Sequence, residues 1–357
     1  MTTTIRKLLI ANRGEIAIRV MRAAAELDIE SVAIYSQEDR FALHRFKADE
    51  AYLVGKGKTP VQAYLDADDI IRIALEAGAD AIHPGYGFLS ERPEFAEACA
   101  AAGLLFIGPS PDVMRTLGNK VAARRLAEQC GVPVMPATGP LPDDPADIER
   151  LAAGIGYPVM LKASWGGGGR GMRVIEDAAS LHELVALGRR EAEQAFGNGE
   201  VYLEKLIRRA RHVEVQIIGD LHGNIVHLFD RDCTVQRRNQ KVVERAPSLF
   251  LDEPARARVC AAAVRLCEAA GYYNAGTVEF LQNADTGEVY FIEVNPRVQV
   301  EHTVTEELTG IDIVKAQIRI AQGGRIGEDS SGVPAQPAIT RNGYSMQCRI
   351  TTEDPEN

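Results

Sequence analysis

The chain lacks any paired-cysteine spacing. Its six cysteines, Cys99, Cys130, Cys233, Cys260, Cys267 and Cys348, are scattered with no C-x-x-C pair. That argues against a disulfide framework or zinc site and for reduced thiols in a cytoplasmic protein. Long apolar runs are missing too. The short run at residues 8–11 leads at once into charge, so it reads neither as a signal peptide nor as a membrane span. Positive charge is in deficit: 40 Lys and Arg against 50 Asp and Glu leave a net charge of −10. Nonspecific nucleic-acid binding is therefore not expected. Neither a low-complexity segment nor a clear internal repeat interrupts the sequence. What remains is ordinary for a soluble enzyme, 46% hydrophobic and 25% charged over 357 residues, enough for two or three domains with real cores.

Two familiar phosphate motifs are also absent. A strand at residues 7–11 is followed by Asn12-Arg13-Gly14-Glu15, one glycine where a dinucleotide fingerprint needs three, so no nicotinamide site is read. Further strands at 31–35, 49–54, 81–84 and 105–108 alternate with helices to about 27, near 63–77 and near 93–102. That alternation predicts an α/β fold with a parallel, doubly wound sheet. The segment from Gly85 to Glu91 follows a strand end, where such sheets bind ligands, but by itself it reads first as a tight glycine turn. Later, Gly166, Gly167, Gly168 and Gly169 lie between strands at 158–163 and 172–175 with no G-K-[ST] and helix behind them. This is not a Walker-type loop. Four bare backbone units between Lys162 and Arg170 suit a lid over a triphosphate, with a mobile hairpin tip as the alternative.

One helix is expected over 112–129, carrying Lys120. A strand at 201–207 runs into a connector where Glu204 could accept from a purine amine. In 211–217, Val213, Val215 and Ile217 should be buried, leaving His212 on a solvated face. Residues 230–241 are densely polar and read as a basic loop, able to bind a small oxyanion, between a strand at 224–229 and a helix near 254–270; Cys233 reads as a buried structural thiol. Strands at 277–281 and 289–295 form a hairpin. From Ile292 to His302 an extended path would set Glu293, Asn295, Arg297, Gln299 and Glu301 on one side, with Glu279 on the paired strand. That face is either a wet edge or the floor of an active site. A link rich in glycine, serine and proline at 323–337 precedes a strand at 345–350 with Arg349 near its end, and the chain reads as stopping inside a domain.

Together these stretches resemble the biotin carboxylase component of biotin-dependent carboxylases, an ATP-grasp family. The matching segments are KLLIANRGEIAIR, HPGYGFLSE, KASWGGGGRGMR, ARHVEVQ, RDCTVQRRNQKVVERAP, FIEVNPRVQVEHTVTE and CRITTEDP. The Asn-Pro-Arg wording at 295–297 is most like the pyruvate carboxylase branch. The resemblance implies an N-terminal domain at 1–111, an ATP-grasp domain at 112–330 with a lid at about 134–205, and the start of a truncated C-terminal domain at 331–357. It implies ATP-dependent carboxylation of biotin by bicarbonate through carboxyphosphate, with Mg²⁺ or Mn²⁺.

Carried onto this sequence, the family's roles put Lys120, Lys162 and Gly166–Gly169 on the phosphates. Glu204, Lys205, Ile207, His212 and Gln236 line the nucleotide site, and Glu279, Glu293 and Asn295 hold the metal. Lys241, Arg297, Gln299 and the Val300 backbone hold bicarbonate, Glu301 is the general base, Arg349 stabilises the biotin enolate, and Tyr86 lies near biotin. Asn239 departs from the family, which often has histidine there. No biotin-attachment Met-Lys motif and no carboxyltransferase region is present, so biotin would arrive free or on a carrier domain. A homo-oligomer is compatible with the family; nucleic-acid and membrane partners are not implied. The alternatives are a carbamoyl-phosphate-forming ligase of the same fold and a fragment that binds ATP without turnover.

Overall fold

The computed structural model describes residues 3–164, 172–238 and 240–351. Two compact units emerge: a larger one of Met1–Val132, Arg211–Gln282 and Phe291–Asn357, and a smaller one of Pro133–Ala210 with Asn283–Tyr290.

In the larger unit, β1 (Lys7–Ile10), β2 (Glu30–Tyr35), β3 (Glu50–Leu53), β4 (Ala81–His83) and β5 (Leu105–Phe106) form a sheet in the order β3-β2-β1-β4-β5. All its pairings are parallel, the doubly wound arrangement expected. Helices α1 (Gly14–Ala25), α2 (Pro60–Tyr64), α3 (Ala67–Glu76) and α4 (Pro93–Ala101) connect the strands. The strands read as nearly continuous apolar runs because both faces are covered: Leu8 and Ile10 enter one core, Leu9 and Ala11 the other.

Strand order reverses between β1 and β4, and ligand crevices form at the carboxyl ends of such a pair. There Asn12 Nδ2 donates to Pro84 O at 2.7 Å and Tyr86 O at 2.8 Å. A Cβ on Gly85 would lie 2.8 Å from that same Nδ2, and its φ is +64°, so only glycine lets the two turns meet. The helix expected over 112–129 is in fact two, α5 (Pro111–Gly118) and α6 (Lys120–Gln129). Asn119 breaks it by capping the second, its Oδ1 accepting from Val121 N and Ala122 N at 3.0 Å.

The smaller unit contains α7 (Pro145–Ile155), β6 (Val159–Ala163), β7 (Arg173–Ile175), α8 (Leu181–Phe196) and β8 (Val201–Lys205). Its antiparallel sheet, ordered β7-β6-β8, buries Val159, Leu161, Ile175 and Leu203 with Leu181 and Val185 of α8.

The larger unit's second sheet has the order β13-β12-β9-β10-β11-β14. Its strands are β9 (Ala210–Gly219), β10 (Ile225–Arg237), β11 (Gln240–Ala246), β12 (Asn274–Asn283), β13 (Val289–Asn295) and β14 (Ser345–Cys348). Helices α9 (Glu253–Ala269), α10 (His302–Thr309) and α11 (Ile313–Ala321) complete the unit. Two expectations fail here. The basic stretch at 230–241 is no loop: β10 continues to Arg237 and turns into β11. The polar face of β9 is not solvated either. Val213, Val215 and Ile217 are buried, but so are Glu214 and Gln216, both 0% exposed. A strand central in its sheet, with helices packed nearby, has no wet side to offer.

Three histidines are held neutral by burial: His83 on β4, His227 on β10 and His302 on α10, each pushed down to about 4. Unfolding returns each to its ordinary 6.5, where it takes up a proton. Stability should therefore be whole above about pH 6.5 and fall as pH drops toward 4, by on the order of 3 kcal/mol each for His83 and His302. Urea unfolding at about pH 7 and about pH 5 measures this. A His83→Gln variant with the same acid slope as the parent would contradict it.

Candidate active site

Alternate residues of β9, His212, Glu214 and Gln216, share one side of the strand. They meet Arg231 of β10, Lys241 of β11, and Thr277 and Glu279 of β12. The centre is Lys241, whose ammonium donates to Glu214 Oε2 at 2.5 Å, Glu301 Oε1 at 2.6 Å and Glu279 Oε1 at 2.9 Å. An ammonium has three N–H donors, and each has a carboxylate. Burial disfavours the charged form of Lys241, but the surrounding glutamates outweigh it and raise its pKa.

Glu214 behaves inversely. Burial works against its charge, yet Lys241 and Arg231 hold it well below the usual carboxylate range. His212 Nε2 lies 3.0 Å from Glu279 Oε2 and 3.7 Å from Glu214 Oε2, as an ion pair off the line of a good hydrogen bond. Burial lowers its basicity, but the two glutamates prevail and push the imidazole up to about 9. Near neutral pH the cluster holds Lys241, Arg231 and His212 as cations against ionised Glu214 and Glu279.

The strand carrying Glu293 and Asn295 ends at Asn295, because Pro296 lacks a ladder N–H. Residues 296–301 then form a loop into α10, not the extended path expected from alternation. Ile292, on the supposed apolar side, is 36% exposed. The loop nonetheless gathers the polar groups. Arg297 donates to Asn295 Oδ1 at 2.9 Å and pairs with Glu91 from the Gly85–Glu91 segment. Gln299 Nε2 donates to Glu279 Oε1 at 2.9 Å, and the Val300 carbonyl accepts from Gln347 at 3.4 Å. Glu301, 2% exposed, has one oxygen on Lys241 and the other accepting from Arg349 Nη2 at 2.9 Å. Arg349 lies just past β14 and also pairs with Glu244, whose carboxyl burial raises. Tyr86 is half-buried and donates to Glu15; burial first, then that bond, raises its pKa.

Among the proposed metal ligands, Asn295 Nδ2 donates to Glu279 Oε1 at 2.9 Å, while Lys120, the first residue of α6, lies 3.3 Å from Glu293 Oε2. Carboxylate oxygens of Glu279 and Glu293 suit a hard cation such as Mg²⁺. Asn295 fits only when its Oδ1 is released from Arg297. Gln236 is exposed near the β10–β11 turn, its Nε2 on Cys233 O at 2.9 Å.

In the smaller unit, Lys162 and Glu204 face each other as an ion pair across β6 and β8. The Lys205 ammonium turns onto Gly156 O at 2.8 Å and Tyr157 O at 3.2 Å, so its side chain holds the end of α7. Ile207 is half-buried just past β8. Gly166, Gly167, Gly168, Gly169, Arg170 and Asn239 lie outside the described residues.

Sequence reasoning missed Glu214, Arg231, Glu244 and Glu91. The signal for Glu214 was the spacing of two from His212. Arg231 had none, since it sat in a run that normally means a solvated surface.

The description "Biotin carboxylase, N-terminal domain" matches residues 4–114, and "Carbamoyl-phosphate synthase L chain, ATP binding domain" matches 119–329. The pyruvate carboxylase of Bacillus subtilis is 53% identical over 358 residues, covering 99% of this chain but 31% of that protein. Among solved structures, a Rhizobium etli pyruvate carboxylase with acetyl coenzyme A matches with a TM-score of 0.90 and 62% identity, over 99% of this chain and 32% of that one. A Campylobacter jejuni biotin carboxylase, solved as a β,γ-ATP complex, matches with a TM-score of 0.89 and 44% identity, over 98% and 77%. The chain thus spans about a third of the curated relative's length. With both halves matched in order, and 77% of the Campylobacter jejuni biotin carboxylase covered at 44% identity, the chain belongs to the biotin carboxylase family of ATP-grasp proteins.

Proposed function

We propose that this chain carboxylates biotin with bicarbonate at the expense of ATP, as the first half-reaction of a pyruvate carboxylase-like enzyme. The observation that carries the reading is Glu301, one oxygen on Lys241 and the other on Arg349. It is a buried base between two cations, next to the Arg297 and Gln299 loop. Relatives named as pyruvate carboxylases and biotin carboxylases support it.

On this reading Arg297, Gln299, Lys241 and the Val300 backbone hold bicarbonate, and fixed cations reduce the repulsion between two anions brought together. Glu301 takes the bicarbonate proton. The freed oxygen attacks the γ-phosphorus, the bond to ADP breaks, and carboxyphosphate forms. Its collapse gives CO₂ and phosphate, phosphate takes the N1′ proton of biotin, and the resulting enolate captures CO₂ while Arg349 stabilises the enolate oxygen. Tyr86 borders biotin. Lys120, His212 and Gln236 serve the nucleotide, as do Lys162, Gly166–Gly169, Glu204, Lys205 and Ile207. Glu279, Glu293 and Asn295 would hold Mg²⁺, which when bound neutralises phosphate charge.

The domain division at 111 and 330, with a lid near 134–205, belongs to the same proposal, as does a carrier and carboxyltransferase supplied elsewhere. The match to a carbamoyl-phosphate synthase domain keeps one alternative: carboxyphosphate passed to ammonia. Bicarbonate-dependent ADP release, measured with and without free biotin and with and without ammonia, separates the two. Stimulation by biotin without ammonia is expected; dependence on ammonia would overturn the reading.

A further inference from the structure

Arg231 makes five hydrogen bonds and is 0% exposed. Its Nε donates to Glu214 Oε1 at 2.5 Å. Nη1 donates to Gln216 Oε1 at 2.7 Å and Thr305 Oγ1 at 3.0 Å. Nη2 donates to Thr277 Oγ1 and Gln299 Oε1, both at 3.0 Å. A guanidinium has five N–H donors in a rigid plane, and every one is used. One side chain thereby joins β9, β12, α10 and the loop after Pro296.

The bond to Gln299 has a directional consequence. A primary amide has an accepting end and a donating end. Because Arg231 can only donate, it requires the Gln299 oxygen, and the Gln299 NH₂ must point the other way. That NH₂ gives one hydrogen to Glu279 Oε1 at 2.9 Å. Its second hydrogen is used by neither Arg231 nor Glu279, and Glu279 Oε1 is itself bound by Lys241, the ammonium that also donates to Glu301. Without Arg231, the Glu279 carboxylate alone would be left to hold the amide in this orientation, because the amide oxygen would lose the donor that fixes it. The Nε bond also steadies Glu214, which shares Lys241 with Glu301.

We infer that Arg231 is a positioning residue for the anion site: it sets the orientation of the Gln299 amide so that an N–H, and not an oxygen, faces bicarbonate. This rests on the proposed role of Gln299 in holding bicarbonate. Thr305 and Gln216 share the guanidinium without touching that amide, which makes them internal references.

The test measures dissociation constants for isotope-labelled bicarbonate, with MgADP present, and for MgATP. Arg231→Lys keeps the charge but cannot span five acceptors. It should weaken bicarbonate about tenfold, the effect of one charge-assisted hydrogen bond, and MgATP by less than about twofold. Gln299→Ala should weaken bicarbonate to a similar degree. Combined, the two should be little worse than either, because both remove one donor. Thr305→Val should leave bicarbonate binding within about twofold of the parent.

Effects that add in the double variant, equal weakening of MgATP, or a Thr305→Val loss as large as that of Arg231→Lys would overturn the positioning role. A Gln299→Ala protein binding bicarbonate normally, or a parent that binds none, would overturn the Gln299 assignment beneath it. If Arg231→Lys does not fold, Thr277→Val substitutes. It removes one of two acceptors fixing Nη2, and unchanged bicarbonate affinity there would overturn the inference.

Discussion

Glu301→Gln is expected to lower bicarbonate-dependent ATP cleavage by about a hundred- to ten-thousand-fold, the range a positioned general base contributes. Nucleotide affinity should change little. Glutamine has nearly the shape of glutamate and fills the same 2%-exposed space, so a packing defect is not the source of the loss. What disappears is an oxygen able to take a proton. The amide also meets cations on both sides, Lys241 at 2.6 Å and Arg349 at 2.9 Å, so its NH₂ faces a donor whichever way it turns. That mismatch adds a stability cost of about 1–3 kcal/mol, visible in a melt and separable from the catalytic loss by assaying well below the transition. Turnover within a few-fold of the parent would remove Glu301 from the role of base.

Much of this site can be read along the chain, and the limits have identifiable causes. The parallel sheet was legible because its central strands, β1, β2 and β4, are buried on both sides and its helices carry apolar stripes, so period and length agree. The two turns at its carboxyl edge were legible as glycine-containing segments after strands. Their meeting through Asn12 was not, since that contact joins residues 72 and 74 positions apart. Arg297, Gln299 and Glu301 were gathered correctly for a wrong reason. Alternation placed them on one strand face, while the protein places them on a loop released by Pro296.

The opposite error occurred on β9 and β10. Polar residues there were assigned to water, on β9 as the outer face of an alternating strand and on β10 as a charged loop. Glu214, Gln216 and Arg231 are instead buried against one another, and each is affordable only in the presence of the others. A charge in a sequence carries no mark of its partner. Lys241 illustrates this best: it is one basic residue in a basic run, and its three carboxylates come from β9, β12 and the loop before α10.

Replacing Lys241 with methionine tests whether those partners are interdependent. The methionine stem fits the aliphatic part of the lysine, but Glu214, Glu279 and Glu301 lose their shared cation. Breaking a buried pair from one side costs about 3–5 kcal/mol, and the Lys241 side chain is only 13% exposed, so the full range applies. The cost should depend on pH in a defined direction. Lys241 helps hold Glu214 and Glu279 below their ordinary 4.5. Their contribution to stability is therefore present above about pH 4.5 and lost as pH falls through the lowered values in the folded protein. The gap between parent and variant should accordingly be widest near neutrality and close in acid, where protonated carboxyls no longer need the cation. Lys241→Arg should recover part of the stability, because a charge is restored. It should not recover bicarbonate use, because a planar fork cannot reproduce three diverging ammonium bonds. Urea unfolding across this pH range, beside ATP cleavage at neutral pH, measures both effects. A Lys241→Met protein as stable as the parent near pH 7 would mean that the three glutamates are satisfied without it, Glu214 by Arg231, Glu279 by His212 and Glu301 by Arg349.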